Sequence, residues 1–339
     1  MIWSTGLSLL VGLSIAVALI AANDPGEILR LLLETGWGLL GVLALNGAQI
    51  VASALGWAPL IDDPRRPGTL ALVRMRWIRN ATNALLPVVQ AAGELVRAQL
   101  LLRTGVAQVK VIASLAADLG AEMATQIVFS LLGLAVLLLI PHGGGGSTLQ
   151  WAVIGTALGA AVTGVFIAAQ RWGLFRLVER LLPGLAARVG WHSMGALTGL
   201  HEAVVGLYRQ PRRLWKSGAW HLASWLLGVL ETWAALRILG VETGLAEALV
   251  IESLGQAVRS AGFFIPGALG VQEGGYVLIC ALFGIPPERA IALVLVRRLR
   301  DVLLGVPGVI AWRWEVATRR PASSASPPAS PRREPLHER

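Results

Sequence analysis

"LLPVVQAAGELVRAQLLLRTGV", residues 85–106, decides how this chain is read. It is apolar enough for lipid, yet Pro87, Gly93, Glu94 and Arg97 stand in its interior. Proline removes a helical N–H donor and glycine weakens a helix. A charged side chain at the centre of a bilayer costs at least about 2.5–3.5 kcal/mol. The stretch therefore predicts a broken helix with polar surroundings rather than a plain span. The same punctuation returns 179 residues later in "FIPGALGVQEGGYVLICALFGI", residues 264–285. Pro87 falls on Pro266, Glu94 on Glu273 and Gly105 on Gly284; beyond them Asp118 falls on Arg297 and Glu122 on Asp301.

Composition sets the surroundings. Of 339 residues, 55% are hydrophobic and 14% charged, where soluble domains carry about 25% charge. Mean hydropathy is +0.65. This balance predicts an all-α polytopic membrane protein. The net charge of +9 sits in loops, without interleaved aromatics, so membrane topology explains it and nucleic acid does not. The single cysteine, Cys280, excludes a disulfide framework within one chain.

Runs long enough to cross the bilayer are Gly6–Ala22, Gly36–Ile61, Val111–Ile140, Trp151–Ala169, Ser217–Leu239 and Ala290–Trp312. Two further runs, at about 81–104 and 248–283, are broken by Pro and Gly and are expected to be re-entrant hairpins. Basic residues crowd the segment after the second run (Arg65, Arg66, Arg74, Arg76, Arg79), the connection 170–216 and the C-terminus. "NDPGE", "PHGGGGST" and "VETGLAE" carry no Lys or Arg. Positive loops stay cytoplasmic, which places both ends inside with six crossings; eight full spans is the competing count. The expected units are a first membrane repeat over 1–148, a second over 149–318 and a disordered cytoplasmic tail over 319–339. Part of 170–216 has the pattern of an amphipathic interfacial helix. Three crossings per repeat invert the second copy, and inverted repeats with interrupted helices mark many secondary transporters.

The candidate path comprises Asn83, Pro87, Gly93, Glu94, Arg97, Asp118 and Glu122 in the first repeat. In the second it comprises Glu252, Arg259, Pro266, Gly267, Gly270, Gln272, Glu273, Gly274, Arg297 and Asp301. Glu94 and Arg97 are spaced to touch, and Asp118 and Glu122 share a helix face. Asp118 and Glu122 are expected to staple the bundle through Arg297 or Arg298, while Glu94, Arg97 and Glu273 are expected to serve function. Glu231 and Arg237 read as structural, and His201 and His221 as interfacial side chains. The glycine run at 142–148 lacks the lysine of a phosphate loop, and the five histidines lack metal-ligand spacing, so no cofactor or metal is expected.

"NALLPVVQAAGELVRAQLL", "ADLGAEM" and "IPGALGVQEGGYVLICALFGIPPERAIAL" together resemble the flippase-like membrane family related to the transmembrane part of lysylphosphatidylglycerol synthases. With "RRLRDVLLGVPGVIAW" following, the chain looks most like that family's hopanoid-biosynthesis-associated members. The resemblance implies a protein of the bacterial inner membrane that moves a lipid, such as a hopanoid or another polar lipid, between leaflets. It implies no aminoacyl transfer, because only the tail follows the last span. The alternatives are a scaffold recruiting lipid-biosynthetic enzymes and an intramembrane lipid-modifying enzyme.

Overall fold

The computed structural model describes residues 25–85, 92–140, 199–261 and 271–318, with isolated positions at 150, 157, 168 and 172. Among the described residues there are ten α-helices, one 3-10 turn and no strand. The helices are α1 (Pro25–Glu34), α2 (Gly38–Trp57), α3 (Thr69–Leu85), α4 (Ala92–Leu102) and α5 (Gln108–Leu139). After them come α6 (Leu200–Tyr208), α7 (Pro211–Ile238), α8 (Leu245–Ala261), α9 (Val271–Ala281) and α10 (Pro287–Thr318). Four expected features lie wholly or mostly outside the described residues: the runs 6–22 and 151–169, the connection from 170 to 198, and the tail 319–339. So do Pro87, Pro266, Gly267 and Gly270.

α2 with its 3-10 extension, over Gly38–Leu60, and α5 are long and apolar enough to cross a membrane. α7 and α10 have the length, at 28 and 32 residues, roughly 42 and 48 Å. Both carry charged residues along their length, and several of these are buried in ion pairs: Glu231 on α7, Arg297 and Arg300 on α10. Large apolar side chains project outward, with Leu70 83% and Leu139 82% exposed. A bilayer covers such a band; water would not.

The broken runs do form helix pairs, α3–α4 and α8–α9, with each second arm packed on its first. The first pair begins earlier than the sequence suggests. The segment from Thr69, read as a basic loop, is helix α3, whose buried face holds Leu72, Met75, Arg76, Ile78 and Thr82 at helical spacing. Arg76 and Arg79 are thus interior ligands of carboxylates and no part of a cytoplasmic loop. Likewise "NDPGE" runs into helix α1, and Arg212, Arg213 and Lys216 belong to the first turns of α7.

Helix lengths recur in order. α3 and α8 each have 17 residues, α4 and α9 each 11, α5 and α10 each 32. The offset is 176 residues between the first arms and 179 thereafter. The three-residue difference falls in the segments joining the arms. Three residues past the end of each second arm stands a glycine in the left-handed region, Gly105 at φ +87° and Gly284 at φ +67°. Only glycine adopts that conformation at little cost. Packing is exchanged between the halves: α3 lies on α10, and α8 lies on α5. α2 lies along α7. One apolar core surrounds Trp57, Ile78, Leu100 and Val111 at the first pair; another surrounds Leu236, Val250, Ile279 and Leu293 at the second.

Candidate functional site

Three helices of the first half each bring two charges to one place. α3 supplies Arg76 and Arg79, α4 supplies Glu94 and Arg97, and α5 supplies Asp118 and Glu122. Each pair is spaced three or four residues, so both members share a face. Arg76 reaches Asp118 at 2.9 Å and Glu122 at 2.8 Å. Arg97 reaches Asp118 and Glu94, both at 2.6 Å. Arg79 closes the circuit on Glu94 at 2.6 Å and Glu122 at 3.4 Å. The result is a closed ring in which every arginine touches two carboxylates and every carboxylate two arginines. Such mutual pairing is the condition under which buried charge is tolerated. His221 of α7 adds a contact, with Nε2 2.9 Å from Asp118 Oδ1. The Arg97 guanidinium also stacks 4.6 Å from the Trp57 ring centre.

The ring has a sealed edge and an open edge. Side chains of Arg97 and Asp118 are 0% exposed and Arg76 1%. Arg79, Glu94 and Glu122 are 15%, 23% and 20% exposed. The expected Glu94–Arg97 contact is present, but the expected stapling of Asp118 and Glu122 by Arg297 or Arg298 is not. Their partners are instead Arg76 and Arg79 of α3, with Arg97 of α4 also on Asp118.

Asn83 and Gly93 hold the hairpin arms together. The Gly93 N–H donates to Asn83 Oδ1 at 2.8 Å. A Cβ at Gly93 would land on the Arg79 carbonyl oxygen, so glycine permits the close approach that brings Arg79 over Glu94.

The second half builds a larger cluster. Arg297 of α10 donates to Glu252 of α8, to Thr232 of α7 and to the Tyr276 hydroxyl of α9. Glu252 also accepts from Thr232 at 2.6 Å and from Gln256 at 2.8 Å. Arg300 bridges Glu231 and Asp301, and Arg298 pairs with Glu273 at 3.3 Å. Gln272 is buried beside Glu273, and Gly274 follows on the same turn of α9. Arg259 stands exposed at the last turn of α8. Under the recurring offsets, Arg76–Asp118–Arg97 corresponds to Glu252–Arg297–Tyr276. The same three positions make the same contacts with the central charge reversed. Glu231 is 1% exposed and tied to Arg300. Arg237 lies over the Trp233 ring at 5.5 Å.

A polar seam between α2 and α7 joins the two clusters. His221, Ser224, Gly228 and Glu231 face Gly56, Ser53, Gln49 and Asn46. Ser224 contacts Ser53 at 2.9 Å and donates to the Gln49 carbonyl at 3.1 Å. Gln49 and Asn46 donate to Glu231. A Cβ at Gly56 would sit 3.0 Å from His221 Nε2. His221 and Glu231 are ten residues apart on α7, roughly 15 Å. His221 is therefore an interior group of this seam, not an interfacial one; His201 too is buried, at 8% exposure. Glu94 and Glu273 belong to separate clusters and have separate partners. Two grooves, of 490 and 720 Å³, run along α2, α3 and α10 beside the Arg74–Glu315 pair and are lined by neither glutamate.

Sequence reading singled out neither Arg76, Arg79, His221, Thr232 and Tyr276 as site residues nor the seam. The four-residue and three-residue spacing of Asn46, Gln49, Ser53 and Gly56 within an apolar helix was the available signal.

A family model described as the lysylphosphatidylglycerol synthase TM region matches residues 7–308. No curated protein and no solved structure matches the chain.

Proposed function

We propose that this chain, which belongs to the lysylphosphatidylglycerol synthase transmembrane-region family, moves a polar lipid between the leaflets of a bacterial inner membrane. The observation that carries the reading is the exchange between halves: the first arm of each hairpin packs on the long helix of the other half, while a buried charge cluster ties it to the long helix of its own half. Matched helix lengths and reversed central charges support two copies of one unit. In this reading the copies are inverted, each crossing three times, and both termini are cytoplasmic.

The headgroup follows the open edges of the clusters while the tails stay in lipid. Ion pairs already made within each cluster keep the arms rigid, and the α2–α7 seam is the line about which the halves rock. A hopanoid is one lipid of suitable chemistry for this path.

Reconstitution into vesicles containing a fluorescent lipid, with outer-leaflet quenching over time, tests the reading. The wild type speeds exchange over empty vesicles, and Glu94→Gln with Glu122→Gln at the open edge lowers the rate at least about tenfold, if each loses a charge-assisted contact of about 1.5–3 kcal/mol. A wild-type rate equal to empty vesicles sinks the proposal. A well-folded variant with unchanged rate removes this edge from the path.

A further inference from the structure

The open edges of the two clusters differ in sign. On the first, the accessible groups are Arg79, Glu94 and Glu122, one cation and two anions. On the second, Glu231, Glu252 and Glu273 are sealed at 1%, 3% and 4% side-chain exposure. Arg298 and Asp301 are 30% and 26% exposed, and Arg259 is exposed outright. The accessible face of that cluster is therefore two cations to one anion, although the whole cluster is neutral.

Arg259 stands apart from the other arginines of the hairpin arms. Arg74, Arg76, Arg79 and Arg97 are each ion-paired. Among the described residues Arg259 makes no ion pair and no hydrogen bond. Its electrostatic neighbours are Asp301, Arg300, Arg298 and Tyr276. The carboxylate among them, Asp301, is already held by Arg300 at 2.6 Å. At the corresponding position of the first hairpin stands Asn83, which is consumed in clipping the arms together. A guanidinium with its whole fork available fits a phosphate or carboxylate. In a membrane protein an ionisable group held without a partner marks a path or a ligand.

From this we infer that Arg259, with Arg298 near it, receives the acidic group of an anionic lipid headgroup. The inference deepens the translocator reading by naming the charge of its cargo, and its binding arm does not depend on transport.

Full-length protein in detergent is titrated with phosphatidylglycerol, with phosphatidylcholine and with inorganic phosphate, and bound lipid is counted by native mass spectrometry. The wild type binds the acidic lipid at least about tenfold more tightly than the zwitterionic one, the scale of one charge-assisted contact. Arg259→Gln removes that preference and leaves phosphatidylcholine binding as it was; Arg259→Lys retains part of it. Equal binding of both lipids by the wild type, or a preference that survives Arg259→Gln, overturns the inference. Complete displacement of the lipid by excess inorganic phosphate also overturns it, by assigning the site to a free anion. The vesicle assay runs in parallel. Lipid exchange that ignores headgroup charge counts against this inference alone, whereas acidic-lipid binding without any exchange counts against the translocator reading alone.

Discussion

Replacing Asp118 with Asn keeps the shape of the ring's central side chain and removes its charge. Arg76 and Arg97 would lose the carboxylate they share, at 2.9 and 2.6 Å, in a place where Asp118 is fully buried. Removing one partner of a buried ion pair costs about 3–5 kcal/mol. Two pairs are touched, yet each arginine keeps a second carboxylate, Arg76 on Glu122 and Arg97 on Glu94. The ring opens to a chain carrying one excess positive charge, so the expected loss is that of one pair, about 3–5 kcal/mol. At about 2–4 °C per kcal/mol, the melting temperature falls on the order of 10 °C. Thermal unfolding of detergent-purified protein, followed by size-exclusion peak height, reads this directly. Combining Asp118→Asn with Arg97→Gln restores neutrality, and the double variant is expected to recover at least half of the loss, a coupling that a double-mutant cycle isolates. If Asp118→Asn melts within about 2 °C of the wild type, or if the two losses simply add, the closed ring is not what holds α3, α4 and α5 together.

Glycines at helix contacts give a sharper steric test. Gly93→Ala and Gly133→Ala would place a methyl on the Arg79 carbonyl oxygen and on the Ser253 side chain, respectively, whereas Gly47→Ala meets nothing within 4 Å. The first two should lower stability by about 1–3 kcal/mol, and the third should raise it by up to about 1 kcal/mol; equal melting temperatures for all three would contradict the helix packing. Topology can be read by thiol labelling, because Cys280 is fully buried and should stay unlabelled in the folded protein. Gly105→Cys and Gly284→Cys are expected to react from opposite sides of sealed vesicles; reaction from one side refutes the inverted arrangement. In the seam, Ser224→Ala should cost about 0.5–1.5 kcal/mol, one net hydrogen bond, and a neutral result would mean that Ser53 and Gln49 find other partners.

Hydrophobic length and helix-breaking residues are local properties, and they were sufficient for an all-helical membrane chain with two interrupted elements. Pro87 with Gly93, and Pro266 with Gly267, predict interruptions from backbone chemistry alone. Glu94 and Arg97 touch because a helix puts residues three apart on one face. The run from Arg74 to Arg79 was misread for a physical reason. Charge counting treats arginine as a loop residue, and nothing local in "RMRWIRN" says that three carboxylates wait on α4 and α5. Asp118 was given the wrong partner on the same grounds, since residues 118 and 297 share an alignment column and not a contact.

What the sequence determined by itself was therefore the helical, membrane-type character of the chain, because it follows from side-chain hydrophobicity and backbone donors within a few residues. Which charge meets which was decided only when α3 crossed to α10, α8 crossed to α5, and α2 lay along α7. Ion-pair strength depends on separation and burial in space, and these the chain acquires only by packing.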